Sequence, residues 1–222
     1  MSFVQQCIDD SLPIWEQCLR SEFVSSLAEG KLDEDCFKGY IVEDSLYLRE
    51  YAKVFAWGIL HANNMEDIRT YYSLLSFVNE AEDSTRRYYL ARYNISDEEI
   101  QKLPLRPNNE RYVRTMHDAA QNAEGPAECL MACLPCMLSY GWIFRQVLRD
   151  QPAVLDTCYG KFVGDYADNW YFDLCDDWIA AADKACAHLT EERRAKCLEI
   201  FRACSLCELG FWEMCTEPRT DI

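Results

Sequence analysis

The sequence has little positive charge and few residues that break helices. Lysine and arginine number 22 against 38 aspartates and glutamates, which gives a net charge of -16. A nucleic acid or an anionic membrane needs a basic protein surface, so this balance argues against both as partners. Only eight glycines and seven prolines occur in 222 residues. Long stretches of the chain are therefore free of the strongest turn signals.

The sequence also lacks the patterns that direct a chain to a membrane or to secretion. No apolar run approaches the roughly 18 residues of a membrane span. Residues 1–10 contain no basic region followed by an apolar stretch. The thirteen cysteines are an odd number in a chain too long for a small disulfide scaffold. We therefore expect a cytoplasmic protein whose cysteines are mostly reduced and serve as small buried hydrophobes.

Hydrophobic periodicity predicts an all-α protein, since no alternating stretch is long enough for a sheet. Capping residues and prolines divide the pattern into segments. One bundle of eight to ten helices, a single domain over residues 1–222, would let their apolar faces cover one another. The expected helices are one from Ser2 that Pro13 bends or divides, one ending at Gly30, one from Asp33 to about Ala62, one over 65–93, a short one with a Ser96–Glu99 capping box, and others over 109–122, 126–149, two pieces within 160–188, and one from Thr190 to about Cys215.

Two of these helices carry an acid inside the apolar face. In the helix from Asp33, the helical step places Asp44 among Phe37, Tyr40, Ile41, Leu48, Tyr51, Phe55 and Ile59. In the last helix, Glu208 lies in a stripe that includes Phe201, Cys204, Phe211 and Trp212. A lone ionised carboxylate in a core costs several kcal/mol unless something satisfies it. Each acid is therefore either one half of a buried ion pair or part of a site.

A third helix, over residues 126–149, carries thiols on its inward face. Cys136 and Tyr140 are four residues apart, so a hydroxyl can stand one turn from the sulfur. Two buried acids and a thiol that face one interior are the groups that a general acid–base site with a nucleophile requires. The alternative for any single cysteine among thirteen is simple core packing.

The cysteine and histidine spacings allow two other sites. Residues 133–136 and 204–207 are both C-x-x-C pairs, which together could bind zinc, although both fall within apolar helical stripes rather than on turns. A thioredoxin-like pair would need a preceding strand, and none is expected. The three histidines, His61, His117 and His188, lack the Glu-x-x-His spacing of a di-iron bundle. Each is expected at the surface or at a helix end.

Taken together, these segments resemble the TenA (thiaminase II) family, which has a heme-oxygenase-like helical bundle without heme. The segment over residues 39–48 resembles the aspartate–tyrosine helix of the family, and Leu134-Pro135-Cys136 followed by Tyr140 resembles its nucleophile motif. Glu208 with the segment over residues 211–214 resembles the C-terminal glutamate motif. Tyr112 and Tyr166 fall where the family has pocket tyrosines. The likeness covers nearly the whole chain.

The resemblance implies an enzyme, a cytoplasmic C–N hydrolase of thiamin salvage that uses no metal or organic cofactor. Its substrate would be 4-amino-5-aminomethyl-2-methylpyrimidine, thiamin or both, and the product would be 4-amino-5-hydroxymethyl-2-methylpyrimidine. It also implies a homotetramer without nucleic-acid or membrane partners. The implied catalytic residues are Cys136 as nucleophile, Glu208 as acid and base, and Tyr140 beside the thiol. The implied substrate-binding residues are Asp44, Tyr47, Tyr112, Tyr166 and Phe211.

Two other functions stay open at this point. A protein that only binds thiamin or a pyrimidine for a partner would be stabilised by the ligand without converting it. The nucleophile–acid pair argues against this alternative, since a binding protein has no need of it. A metal- or redox-dependent bundle protein would instead use the paired cysteines.

Overall fold

The computed structural model describes residues 2–80 and 82–222, and the side chains of residues 77–80, 82 and 83 lie outside that description. Within the described ranges the chain forms helices and no β-strand, so the predicted all-α fold is confirmed. The helices are α1 Phe3–Leu19, α2 Glu22–Ala28, α3 Glu34–His61, α4 Met65–Glu80, α5 Glu82–Tyr93, α6 Asp97–Ile100, α7 Pro107–Gln121, α8 Pro126–Asp150, a 3-10 helix Pro152–Asp156, α9 Gly160–Ala167, α10 Asn169–Cys186 and α11 Glu191–Met214.

Side-chain caps begin the helices largely where the sequence predicts them. Asp33 caps α3 and Thr190 caps α11. Ser96 and Glu99 form the expected capping box of α6, each satisfying a backbone N–H of the other. Gly30, after α2, has a φ of 68°, a left-handed conformation that suits glycine. Local hydrogen bonding therefore sets most of the helix starts.

One detail differs from the prediction, and another falls partly outside the described residues. Helix α1 runs through Pro13 as one continuous helix, so the proline does not divide it. The stretch predicted as one helix over 65–93 contains α4 and α5, and residue 81 between them lies outside the described residues. The described residues form eleven helices and one 3-10 helix; with α4 and α5 taken as the one predicted helix, the eleven become ten, within the expected eight to ten.

Helix α8 is the central helix of the bundle. It packs against α1, α3, α7, α9, α10 and α11. By length and composition it could cross a membrane, contrary to the sequence-based expectation that no run would qualify. However, 94% of its most apolar window is buried inside the protein. That burial is what the core helix of a soluble protein shows, because its apolar surface is already covered by other helices.

The candidate site lies where four helices meet. Helices α3, α7 and α11 each pack against α8, and α7 also packs against α3 and α11. Asp44 lies on α3, Tyr112 on α7, Cys136 on α8 and Glu208 on α11. The inward faces of the four helices therefore bring these side chains into one interior.

Candidate active site

Glu208 is the best-connected acid of this interior. It is 2% exposed, and the Tyr112 hydroxyl donates a hydrogen bond to its Oε1 over 2.7 Å. Burial raises the pKa of Glu208 to about 7. Nearby Asp44 adds to this rise in pKa, while hydrogen bonds from Tyr112 and from the thiol of Cys136 oppose it. At neutral pH this carboxyl group can therefore both hold and release a proton.

Asp44 is the second acid and comes from α3. It is 9% exposed, and burial raises its pKa to about 7. The positive charge of Arg86 on α5 counters part of this shift. The Arg86 guanidinium is held nearby by Asp97 at 2.8 Å and by the Ser45 hydroxyl at 3.4 Å. Asp44 thus resembles Glu208, because burial raises the pKa of both carboxyl groups toward neutral pH.

Cys136 lies on α8 directly after Pro135, which lacks the N–H for a helical hydrogen bond. The thiol is 6% exposed and hydrogen-bonds to Glu208. Two tyrosine hydroxyls donate to carbonyl groups on either side of this turn, Tyr51 to Cys133 at 3.1 Å and Tyr171 to Met137 at 3.0 Å. These bonds fix the backbone that carries the nucleophile candidate.

A small cavity opens between these helices. Its empty volume is about 150 Å³, spread so narrowly between the side chains that a water-sized sphere finds no room in it. Six side chains line it, two of them acids and four aromatic: Asp44, Tyr47, Tyr112, Tyr140, Glu208 and Phe211. All six were predicted as site residues from the sequence. Flat aromatic walls with two carboxyl groups at the rim suit a small planar molecule that has ring nitrogens or amino groups.

The other two predicted site residues lie just outside this lining. Cys136 reaches it through Glu208. Tyr166 packs behind the Tyr140 ring, with centroids 5.1 Å apart. Elsewhere in the lining the rings of Tyr47 and Tyr112 pack together, with centroids 4.8 Å apart. All eight predicted residues therefore belong to one neighbourhood, with six of them at the cavity.

Two neighbours of the cavity were not predicted as site residues. The Tyr40 hydroxyl lies 3.0 Å from that of Tyr140, and the Tyr47 hydroxyl donates to the sulfur of Met116 over 3.4 Å. Tyr40 stands one turn before Asp44 in the same stripe, and this spacing was the available signal. Met116 gave none, because a methionine in a core stripe looks like ordinary packing.

The described part of the chain does not contain the arrangement of ligands that the alternative metal site would need. Cys133 and Cys204 are both fully buried in the interiors of their helices. Within residues 2–80 and 82–222, no three cysteine, histidine, aspartate or glutamate side chains come together as a metal ion would need. His61 and His117 are half-buried, and their ring nitrogens bond to the backbone oxygens of Ala120 and Glu50.

Known proteins are similar in sequence to this chain over almost its full length. The model of the TENA/THI-4/PQQC family matches residues 8–217. An aminopyrimidine aminohydrolase of Halalkalibacterium halodurans is 30% identical over 220 residues, which cover 99% of this chain and 97% of the relative. An aminopyrimidine aminohydrolase of Bacillus subtilis is 31% identical over 215 residues, 96% of this chain and 89% of the relative.

Solved structures show the same fold. A TenA family transcription regulator from a Silicibacter species superposes with a TM-score of 0.86 at 20% identity, covering 97% of both chains. The TenA homologue from Pyrococcus horikoshii gives a TM-score of 0.83 at 23% identity, covering 97% of this chain and 98% of the other. The expected heme-oxygenase-like bundle is therefore confirmed, and by its sequence over residues 8–217 the chain belongs to the TENA/THI-4/PQQC family.

Proposed function

We propose that this chain is an aminopyrimidine aminohydrolase of thiamin salvage, a hydrolase that replaces the group on the exocyclic methylene of a 4-aminopyrimidine by hydroxyl. The observation that carries the proposal is a pair of acids at a ring-lined cavity, with the thiol of Cys136 hydrogen-bonded to one of them, Glu208. Relatives support the proposal, because proteins about 30% identical over almost the full chain are named aminopyrimidine aminohydrolase.

Asp44 would recognise the amino face of the substrate. The 4-amino group donates to one carboxyl oxygen, and the adjacent ring nitrogen shares a single proton with the other. That proton can start on either partner, because the pKa of Asp44 is raised to about 7 by burial. A carboxyl group with an ordinary pKa would be ionised at neutral pH and would need a ring that is already protonated. Burial of Asp44 therefore suits a neutral aminopyrimidine.

Cys136 and Glu208 would carry the chemistry. The thiolate adds to a ring carbon beside a ring nitrogen, and Glu208 protonates that nitrogen. The electron pair of the dearomatised ring then expels ammonia from the protonated aminomethyl group, or the neutral thiazole from the thiazolium of thiamin. Water adds to the methylene carbon and passes a proton to the ammonia or to solvent. The C–S bond breaks to restore the thiolate, and Glu208 takes its proton back from the ring nitrogen. The net reaction is hydrolysis of one C–N bond, with the nucleophile and the acid both regenerated.

The closed cavity favours a single-ring substrate over thiamin. Its side chains leave no room for a water-sized sphere, so any substrate must displace some of them to enter. Thiamin, with two rings, would have to displace more of them than an aminopyrimidine does. We therefore expect the aminomethyl-aminopyrimidine to be hydrolysed with a higher kcat/KM than thiamin.

The direct test measures by chromatography the release of hydroxymethylpyrimidine from the aminomethyl-aminopyrimidine and from thiamin. Cys136→Ala and Glu208→Gln should each lower the rate by at least about 100-fold, the lower end of what a positioned acid or base contributes. Cys133→Ala is the matched control, since it removes a buried thiol one turn earlier on the same helix. Glu213→Gln removes an exposed acid of α11 in the same way.

The outcomes separate the hydrolase from a binding protein. If both site variants keep the wild-type rate, the assigned residues are wrong. If the wild-type chain is stabilised by an aminopyrimidine but forms no product, it is a binding protein.

A further inference from the structure

Tyr40 lies directly behind the cavity without lining it. It is fully buried on α3, one helical turn before Asp44. Its hydroxyl oxygen is 3.0 Å from the hydroxyl oxygen of Tyr140, and Tyr140 does line the cavity. The two phenols therefore form a chain that runs from the core to the site.

The ring of Tyr40 is held on several sides. It stacks on Trp212, with centroids 5.4 Å apart and planes 8° apart. The rings of Phe162 and Phe211 pack against it at steep angles, with centroids at 5.4 and 5.9 Å. A ring packed in this way cannot swing aside, so its hydroxyl group is fixed in place beside Tyr140.

The direction of the hydrogen bond matters, because each phenol has one proton to donate. Burial raises the pKa of both hydroxyl groups well above the ordinary value, so both stay protonated at neutral pH. If Tyr40 donates to Tyr140, the Tyr140 proton is left for a partner on the cavity side. If Tyr140 donates to Tyr40, its proton points away from the cavity.

We propose that Tyr40 is a positioning residue for the hydrolysis described above. Its hydroxyl donates a hydrogen bond to the Tyr140 oxygen and so directs the Tyr140 proton toward Cys136. In this arrangement Tyr140 stabilises the thiolate that attacks the ring. The inference rests on the proposed function only for its effect on turnover. Its effect on the thiol can be measured without any substrate.

The thiol of Cys136 has several titratable neighbours that such a measurement must separate. They come from four helices and are mostly tyrosines: Tyr40 and Tyr47 from α3, Tyr112 from α7, Tyr140 from α8 and Glu208 from α11. Of these, Glu208 is the acid that hydrogen-bonds to the thiol. A change limited to Tyr40 and Tyr140 leaves it in place.

The experiment compares Tyr40→Phe, Tyr140→Phe and the double variant with the wild type. Alkylation of Cys136 by iodoacetamide is followed from pH 6 to 10, with the modified peptide quantified by mass spectrometry. In both single variants the alkylation profile should move to higher pH. The kcat for the aminopyrimidine should fall about tenfold, which corresponds to one hydrogen bond to a charged group, while KM stays within about twofold.

Tyr71→Phe is the matched control. Tyr71 is also buried, and its hydroxyl donates to the Pro126 carbonyl, away from the cavity. This variant loses a buried tyrosine hydroxyl group without touching the Tyr40–Tyr140 pair. It should keep the wild-type alkylation profile and kcat.

The double variant tests whether Tyr40 acts on the thiol through Tyr140. In a Tyr140→Phe background, Tyr40→Phe should have a much smaller effect on alkylation than in the wild type, because the hydrogen-bonded route through Tyr140 is gone. The proposal is overturned if Tyr40→Phe matches Tyr71→Phe, or if the two phenol changes simply add. Failure of the wild type to form product would refute the hydrolase alone, since the alkylation profiles would still report on Tyr40.

Discussion

Glu43 and Asp44 are neighbours on α3 and are both buried, yet they have opposite surroundings. Glu43 Oε1 lies 2.5 Å from Arg219 Nη1, and its Oε2 accepts a hydrogen bond from Asn109 over 2.8 Å. Asp44, one residue later, faces the cavity. Adjacent residues on a helix point about 100° apart, so one acid meets the C-terminal segment while the other meets the site.

The same contrast occurs between α8 and α11. Glu128 is fully buried and contacts the Arg193 guanidinium through three hydrogen bonds of 2.8 to 3.0 Å. Glu208 is as deeply buried but contacts a phenol and a thiol. A guanidinium that binds both carboxylate oxygens holds the acid in place as a structural group. Glu208 has neutral donors instead and a pKa raised by burial to about 7, so its proton can be exchanged near neutral pH. Burial alone therefore does not identify a site acid, whereas its partner does.

Removing the partner of a paired acid should produce the largest change in stability. Burial raises the pKa of Glu43, and Arg219→Met removes a cation that opposes this rise, so we expect the free energy of unfolding to fall by about 3–5 kcal/mol. Chemical denaturation measures it. Glu43→Gln combined with Arg219→Met should recover part of the loss. Arg149→Met, which removes an exposed ion pair with Asp150, should change stability by less than about 1 kcal/mol. Equal losses in the two arginine variants would break the comparison.

The site acids should instead give stability a characteristic pH dependence. The folded-state pKa of Asp44 and of Glu208 is about 7, raised by burial from 3.8 and 4.5. The folded protein thus keeps these protons up to a higher pH than the unfolded chain does. Their contribution is fully present below about pH 4 and is lost as the pH rises through 7. Between pH 5 and 8 the loss should be about 2–3 kcal/mol for each acid.

Neutral variants test that origin. Asp44→Asn and Glu208→Gln should each flatten the fall in unfolding free energy between pH 5 and 8, as measured by urea titration at several pH values. Glu213→Gln, at an exposed position of α11, should leave the slope unchanged. If both site variants keep the wild-type slope of unfolding free energy against pH, other titratable groups cause that slope.

A smaller effect concerns the hydrogen bond between Tyr112 and Glu208. This bond lowers the pKa of Glu208, so Tyr112→Phe should raise that pKa further, by less than about one unit for a bond of about 1 kcal/mol. If protonated Glu208 is the acid, the alkaline limb of the kcat profile should move to higher pH by the same amount. A limb that moves toward acid would contradict the assignment.

The smallest effect should come from Arg86, whose charge only partly offsets the burial of Asp44. Arg86→Met should raise the pKa of Asp44 further and extend aminopyrimidine binding to higher pH by less than about one unit. Fluorescence titration in a Cys136→Ala background measures binding without turnover. Arg86→Lys keeps the charge and should restore the wild-type profile. An unchanged profile in Arg86→Met would show that Arg86 does not act on Asp44.

Much of this could be predicted from the sequence, but unevenly. Asp44 and Glu208 stood out because each interrupts an apolar helical stripe, and periodicity is a local property. The pattern did not single out Glu43 or Glu128, although both are fully buried. Tyr40 was predicted only as a core residue. Its hydrogen bond to Tyr140 joins residues 100 positions apart, and nothing in the stripe reveals which tyrosine meets which.

The sequence by itself determined the helices, their caps and the inward position of Asp44, Cys136 and Glu208, because hydrogen bonding and hydrophobic periodicity act within a few residues. Only the tertiary structure decided which buried acids have arginine partners. Arg219 reaches Glu43 from 176 positions away and Arg193 reaches Glu128 from 65. Such pairings depend on how the helices pack, and that packing leaves Asp44 and Glu208 with raised pKa values at a shared cavity.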